Sequence, residues 1–149
     1  SLAYAWPASH SQIYPELARL RDDGLIEQTA SGARRSRTYA LTAAGLEEVR
    51  RWLRDTEPDR RVRNDAALRI FFLWLLEPDE ARVQLERERA YWAGIFDELE
   101  AIEAEPPGES RKERAFRLSL EGGLRTVASR IEWLDWAIGE VSSPAWRRS

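Results

Sequence analysis

The chain contains no cysteine and no methionine, and His10 is its only histidine. Without cysteine, no disulfide, thiolate nucleophile or cysteine-ligated metal can form, which is compatible with a cytoplasmic protein. A histidine-based catalytic triad would depend on His10 alone, and its sequence neighbours Ser9 and Ser11 do not make a catalytic geometry. Because methionine is missing, the sequence shows no normal start. We expect that the protein either has been truncated or has earlier residues that this sequence does not include.

Other functional patterns are also missing. No glycine-rich phosphate loop and no metal-ligand spacing occurs, so we expect neither a cofactor nor a metal. The longest apolar run, residues 70–76, is far shorter than the ~20 residues that a membrane-spanning helix needs. Adjacent acids such as Glu47 and Glu48 fall on exposed helical faces, where they favour solubility over acid–base catalysis. We therefore expect no enzyme.

Charge does not decide the function. The net charge is −3. Residues 1–56 contain eight arginines against seven acids, whereas residues 57–149 contain fifteen basic residues against nineteen acids. The distribution suits a DNA-binding first part beside an acidic body. Ordinary solvated surface explains the same totals equally well.

Residues 9–20 predict a short amphipathic helix around which the first part of the chain is organised. Ile13, Leu17 and Leu20 fall at i, i+4 and i+7 and would face a core. Ser9 and Ser11 are both candidate N-caps, and Gly24 is a candidate C-terminal stop. Pro15 cannot donate a backbone hydrogen bond, so we expect a loosened or kinked first turn, or a regular helix that begins nearer residue 12.

A hairpin and a second helix follow. Residues 25–29 and 37–41 are β-prone and flank a polar loop that, with Arg37, carries three arginines. Thr42 is the candidate cap of a helix over 42–55, in which Leu46, Val49 and Leu53 share a face that we expect to pack on the wing and the first helix. A helix, a hairpin with a basic tip and a capped helix form the layout of a winged helix.

The most specific pattern lies within residues 9–53. It comprises Ile13-Tyr14-Pro15, Leu17, Leu20, Gly24-Leu25-Ile26, Arg37-Thr38-Tyr39, Leu41-Thr42, Gly45 and Trp52-Leu53. In combination these residues resemble the PadR family of bacterial transcriptional regulators. The resemblance implies a mainly α fold: a winged helix-turn-helix, with a three-helix core and a β-hairpin wing, followed by a C-terminal α-helical dimerisation domain. Residues 1–8 look like only the tail of the helices that precede this motif in the family, so the N-terminal part is expected to be incomplete.

The remaining sequence predicts three helices. Asn64 or Asp65 would cap a helix over 66–76, whose near-continuous hydrophobicity indicates burial on several sides. Pro78 would start a helix that runs to about residue 104. The last helix, 110–141, carries an apolar seam at alternating spacings of three and four residues, close to a heptad repeat.

These elements predict a domain division. Residues 1–56 form the DNA-binding domain, residues 57–63 the linker, residues 64–141 the dimerisation domain and residues 142–149 a tail. The linker contains Pro58 and is polar. An alternative is that Arg60, Arg61 and Arg63 form a basic arm on the DNA backbone.

The seam of helix 110–141 needs a partner, which helix 79–104 could supply as an antiparallel hairpin. Trp133, Trp136 and Ala137 widen the apolar surface, which favours a second copy of the chain as a further partner. The alternative is that these tryptophans fill an intramolecular core. The dimer-interface residues that we predict are Phe116, Leu120, Leu124, Val127, Ile131, Leu134 and Ile138.

The opening of the first helix and the hairpin are the predicted DNA contacts. Gln12 is suited to adenine, His10 to phosphate or guanine, and Arg19 to phosphate. Tyr14 and Tyr39 are equally compatible with packing. The helix residues predicted to contact DNA are Ser9, His10, Ser11, Gln12, Tyr14 and Arg19. Those of the hairpin are Arg34, Arg35, Arg37 and Thr38.

The resemblance implies a repressor that binds a two-fold-symmetric operator as a homodimer and responds to a small aromatic effector. Trp74, Trp92, Trp133 and Trp136 offer flat apolar faces for such an effector, although plain core packing explains each of them too. One alternative function is a winged-helix adaptor that binds proteins and no DNA. Another is an enzyme acting on aromatics, for which the sequence offers no catalytic constellation.

Overall fold

A computed structural model of the chain describes residues 9–31, 37–59, 64–104, 108 and 110–146, apart from the side chains of His10 and Ser31. The chain divides into two compact units, residues 1–61 and residues 62–149. The first unit holds helix α1 (His10–Asp22), strands β1 (Ile26–Ser31) and β2 (Arg37–Leu41) and helix α2 (Ala43–Asp55). The second holds α3 (Asp65–Phe71), a 3₁₀ turn (Leu73–Leu75), α4 (Pro78–Glu103) and α5 (Arg111–Ser142).

Local sequence explains both ends of α1. Ser9 is the N-cap, in extended conformation. Gly24 adopts a φ of +71°, which glycine tolerates without the strain of a side chain. The Gly24 and Leu25 amides donate to the carbonyls of Arg21 and Leu20, both at 2.9 Å, which closes the helix as a Schellman motif. The helix begins at His10, not nearer residue 12, and accommodates Pro15 in its interior.

The strands β1 and β2 form an antiparallel hairpin, with Ile26 paired to Leu41 and Ser31 paired to Arg37. The register shifts between Gln28 and Ala30, where β1 carries one extra residue. The predicted hairpin is confirmed, and β1 extends to Ser31. A helix, this hairpin and a further helix give the winged-helix arrangement.

Helix α2 is anchored to the segment that precedes the hairpin. The Thr42 hydroxyl accepts from the Gly45 amide at 3.0 Å and donates to the Gly24 carbonyl at 2.7 Å. The Leu25 carbonyl accepts from the Thr42 amide at 3.1 Å. Thr42 therefore acts as the predicted cap. The expected packing of Leu46, Val49 and Leu53 is wrong among the described residues of this unit, because all three side chains are exposed.

The predicted helix 66–76 is shorter and far less buried than expected. Asn64 caps α3 by accepting from the Ala67 amide at 3.0 Å. Phe72 then leaves the helical conformation, with φ −104° and ψ 11°, and a 3₁₀ turn follows. Leu73 is buried, whereas Phe71 is 74% exposed and Trp74 is 66% exposed. Hydrophobic composition predicted burial correctly only for the side chains that turn towards α4 and α5.

Helices α4 and α5 pack against each other and form two hydrophobic clusters. Leu85, Leu134, Ala137 and Val141 lie in the cluster that Leu73 joins. The second cluster consists of Leu99, Leu124 and Val127, with Leu120 and Ile131 packed against it. No helix in the part of the chain that the structure describes is long and apolar enough to cross a membrane.

The seam of α5 therefore finds its partner inside the same chain. Leu124, Val127 and Leu134 are buried, and Leu120, Ile131 and Ile138 pack against the clusters. These six positions therefore pack within their own unit, three of them buried and three partly buried, and their contact with a second copy stays a prediction. Phe116 alone of the predicted interface residues is exposed.

Candidate nucleic-acid interface

The opening of α1 is a compact hydrogen-bonded cap. The Gln12 side-chain oxygen accepts from the Ser9 amide at 2.9 Å and from the Ser9 hydroxyl at 3.0 Å. The Ser9 and Ser11 hydroxyls lie 2.8 Å apart. The cap occupies Oε1 of Gln12, while its Nε2 has no partner among the described residues. Gln12 can thus donate to a ligand without disturbing the helix end.

One face of α1 is exposed and bears no acid over its first three turns. Ser11, Pro15 and Ala18 fall at i, i+4 and i+7 and are all exposed, with Tyr14 beside them. Leu17 and Leu20 face the other side and are partly buried. The first turn contains no acidic residue. Sequence reasoning missed Pro15 and Ala18 as surface residues of this face, although the same helical spacing places them there.

Arg19 is engaged within α1. Its guanidinium donates to both carboxylate oxygens of Glu16, with Nε at 3.2 Å from Oε2, and its Nη1 lies 3.5 Å from the Asp23 carboxylate. The hydrogen bond from Arg19 lowers the pKa of the Glu16 carboxyl, and the same bond raises the pKa of Arg19. Arg19 must leave Glu16 before it can reach a phosphate, which sequence spacing alone did not reveal.

The described part of the hairpin exposes two of the predicted DNA residues. Arg37 and Thr38 are exposed at the end of β2 that lies next to the loop, opposite Ser31 and Ala30. Thr29, at the register shift, donates its hydroxyl to the Thr38 carbonyl at 3.4 Å. Arg34, Arg35 and the side chain of His10 lie outside the described residues, as do Arg60, Arg61 and Arg63 of the predicted linker.

The four tryptophans predicted for an effector do not form one group. Trp92 and Trp133 are partly buried and share Arg130, whose guanidinium carbon lies 5.2 Å and 5.9 Å from their ring centroids. Trp74 and Trp136 are exposed. An open depression of about 440 Å³ between α4 and α5 is lined by none of them; Phe96, Ile131, Arg89 and Asp135 are among its residues.

The described residues contain no group of three or more histidine, aspartate or glutamate side chains placed to hold a metal ion. The candidate features are the helix face and the hairpin in the first unit and, separately, the aromatic residues in the second unit. These features suit contact with an extended polar ligand on the first unit and with a small aromatic molecule on the second.

Comparison with known proteins gives two family matches. The model described as "Transcriptional regulator PadR-like family" matches residues 2–51, and the model described as "Virulence activator alpha C-term" matches residues 62–142. The negative transcriptional regulator PadR of Bacillus subtilis is 32% identical over 145 residues, which cover 90% of this chain and 79% of that protein.

Solved structures of that same relative share the fold. The crystal structure of Bacillus subtilis PadR in complex with operator DNA gives a TM-score of 0.79 at 26% identity, covering 94% of this chain and 83% of the other. Its complex with p-coumaric acid gives a TM-score of 0.78 at 25% identity, covering 95% and 83%.

Proposed function

Since the chain belongs to the PadR-like family of transcriptional regulators, we propose that it is a repressor that binds operator DNA. The exposed, acid-free face of α1 beside the hairpin is the observation that carries the proposal. A relative of the same fold was solved on operator DNA, which supports it. Such a regulator acts on chromosomal DNA, so its location would be the cytoplasm, and we propose no catalytic activity.

On DNA, α1 would lie in the major groove with its N-terminal turn towards the base edges. Gln12 would donate from Nε2 to a base acceptor such as N7 or O6 of a purine. A bidentate contact with adenine would also need Oε1, which the cap holds, so a single donated bond is the better fit. The Ala18 methyl group is suited to contact with a thymine methyl group.

The hairpin would contact the sugar-phosphate backbone beside the groove. Arg37 and Thr38 are exposed there, and Arg34 and Arg35 belong to the same loop in sequence. Arginine suits phosphate oxygens and a narrow minor groove. These contacts would supply affinity and orientation, while α1 would supply specificity.

We further propose that the repressor is a homodimer and that an aromatic effector modulates it. Two-fold symmetry of the protein would match two operator half-sites about 34–36 Å apart. The second unit exposes apolar side chains that a partner copy would cover. They are Leu68, Phe71, Phe72, Trp74 and Leu75.

A protein-binding adaptor remains the second candidate, because Arg19, the arginine of α1 predicted to contact phosphate, is neutralised by the exposed Glu16. Selection of bound duplexes from the promoter region of the protein's own gene, against random duplex, distinguishes the two functions. The repressor enriches one duplex sequence with two-fold symmetry. The adaptor enriches none.

The role of Gln12 is tested by Gln12→Ala on the selected operator. We expect a loss of about 0.5–1.5 kcal/mol of binding free energy, the value of one hydrogen bond, and loss of preference at one base pair, because Nε2 no longer donates to that base. Competition binding with operators changed at each base pair measures this. Gln84→Ala, an exposed glutamine on α4, is the matched control and should bind like the wild type. An equal loss on every duplex would make Gln12 a backbone contact.

A further inference from the structure

The side-chain amide of Gln12 is held in one orientation at the start of α1. Its oxygen Oε1 lies 2.9 Å from the backbone nitrogen of Ser9 and 3.0 Å from the Ser9 hydroxyl. A backbone N–H group can only donate a hydrogen bond, so the side-chain atom that meets it must be the oxygen and not the nitrogen. The orientation of the Gln12 amide therefore follows from the chemistry of its partner.

Both acceptor positions of Oε1 are used within the cap. A carbonyl oxygen accepts through two lone pairs, and the amide and the hydroxyl of Ser9 take one each. The Ser11 hydroxyl lies 2.8 Å from the Ser9 hydroxyl. Because the Ser9 hydroxyl hydrogen is donated to Gln12, Ser11 is the donor in that contact. A chain of hydroxyl donors of this kind strengthens the bond that ends on Oε1.

The Gln12 side chain thus offers a ligand only donors. Gln12 is exposed, and its Nε2 carries two hydrogens. A glutamine that is free at both atoms reads adenine, because it donates to N7 and accepts from the N6 amino group. With Oε1 occupied, the second of these bonds cannot form, and the adenine amino group would be left without an acceptor.

Guanine is the base whose edge matches a donor-only side chain. In the major groove it presents two acceptors, N7 and O6, at the positions where adenine presents one acceptor and one donor. Thymine presents one acceptor, O4, and cytosine presents a donor, N4. The orientation that the cap imposes on Gln12 therefore discriminates between the two purines.

We propose that Ser9 is a positioning residue that sets the base preference of Gln12, and that the preferred base is guanine rather than adenine. Ser9 does this through Gln12, by holding Oε1 and turning Nε2 outward. This inference rests on the proposed DNA binding and adds which purine α1 reads and which residue decides it.

Competition binding of the full chain tests the proposal on the selected operator, with each of the four base pairs placed at the position that Gln12→Ala identifies. The wild type should prefer guanine to adenine by about twofold to tenfold, which corresponds to one hydrogen bond. Ser9→Gly removes the hydroxyl, keeps a residue that is accepted at helix N-caps and frees one lone pair of Oε1. Its preference for guanine should disappear or reverse to adenine. Ser9→Thr keeps a hydroxyl and should retain the preference for guanine.

Two controls separate this role from plain support of a helix. Ser110→Gly removes the corresponding hydroxyl from the cap of α5, where Ser110 and Glu113 make the same reciprocal bonds at 2.9 Å and 3.1 Å. It should leave the base preference unchanged. In a chain that already carries Gln12→Ala, Ser9→Gly should also leave the base preference unchanged, because the side chain that it positions is gone.

Two results overturn the inference. One is wild-type affinity for adenine at that position that equals or exceeds its affinity for guanine. The other is a guanine-to-adenine ratio that stays the same in Ser9→Gly. A chain that gives either result and still selects one operator remains a repressor, whereas a chain that selects no duplex contradicts the proposed function, and the inference falls with it.

Discussion

Replacement of Gly45 by alanine is expected to lower the free energy of unfolding of the winged-helix unit by about 3 kcal/mol. A Cβ at Gly45 would lie 2.8 Å from the carbonyl carbon of Leu25 and closer still to its oxygen. That carbonyl cannot move freely, because the Thr42 amide donates to it at 3.1 Å. The added methyl group thus clashes with backbone where α2 meets the segment before the hairpin. Moving α2 away to remove the clash would break the hydrogen bonds between Thr42 and this segment.

Hydrogen exchange of the α1 and α2 amides in increasing urea measures this effect in the first unit alone. Gly122→Ala is the matched control, because a Cβ at Gly122, on α5, meets no atom within 4 Å. It should stabilise the chain by about 0.5–1 kcal/mol, since glycine is the poorer helix former. Wild-type stability of Gly45→Ala would mean that α2 and Leu25 do not meet in solution as described.

The double change Phe71→Arg and Trp74→Arg is expected to convert the proposed homodimer to monomers. Both side chains are apolar and largely exposed in the single chain, 74% and 66% respectively. Buried aromatic anchors at interfaces contribute at least about 2 kcal/mol each, so the pair should weaken self-association about a thousandfold or more. Two arginines facing their symmetry mates would add repulsion.

Analytical ultracentrifugation over a range of protein concentrations measures the dissociation constant. Leu118→Arg provides the control, because Leu118 is an exposed leucine on α5, outside the proposed dimer surface. Operator affinity should fall together with dimerisation, since one half-site then binds alone. A double variant that stays dimeric would place the interface elsewhere, for instance around Phe116.

The features that the sequence predicted well are local ones. Thr42 and Asn64 accept from amides three residues ahead, and Gly24 closes α1, because each depends only on its near neighbours. The antiparallel hairpin followed from two β-prone segments around a polar loop. The fold class is accordingly the part of the account that sequence alone determined.

The predictions that failed concern contacts between residues that are far apart in the sequence, and the rotamers that side chains adopt. Hydrophobicity over 66–76 did not tell which side chains would meet α4 and α5, and Leu73 proved to be the buried one. The spacing along α5 identified the seam, and α4, which the sequence offered as one partner, packs against it; the spacing did not tell which seam positions would stay exposed, as Phe116 does. Likewise, Arg19 pairs with Glu16, and Oε1 of Gln12 accepts in the helix cap. Both contacts depend on side-chain rotamers, which the sequence spacing permits but does not require.

Arg130 is a residue that the sequence did not single out, because its position depends on contacts with another helix. Sequence reasoning singled out four tryptophans for an effector and passed over Arg130, whose guanidinium lies over the rings of two of them. The absence of acids at three and four residues from Arg130 was visible in the sequence. The approach of Trp92 was not, because it comes from another helix.

DNA-binding repression is tested by operator binding titrated with salt, comparing the wild type with Arg34/Arg35→Ala. The wild type should bind its operator tightly and sequence-specifically, with an affinity that falls steeply as salt rises. The double variant should bind more weakly and reduce the slope of log K against log salt by about 2, one unit for each lost phosphate contact. Equal affinity for operator and random duplex, unchanged by the two substitutions, would contradict the claim that this winged helix is a DNA-binding repressor.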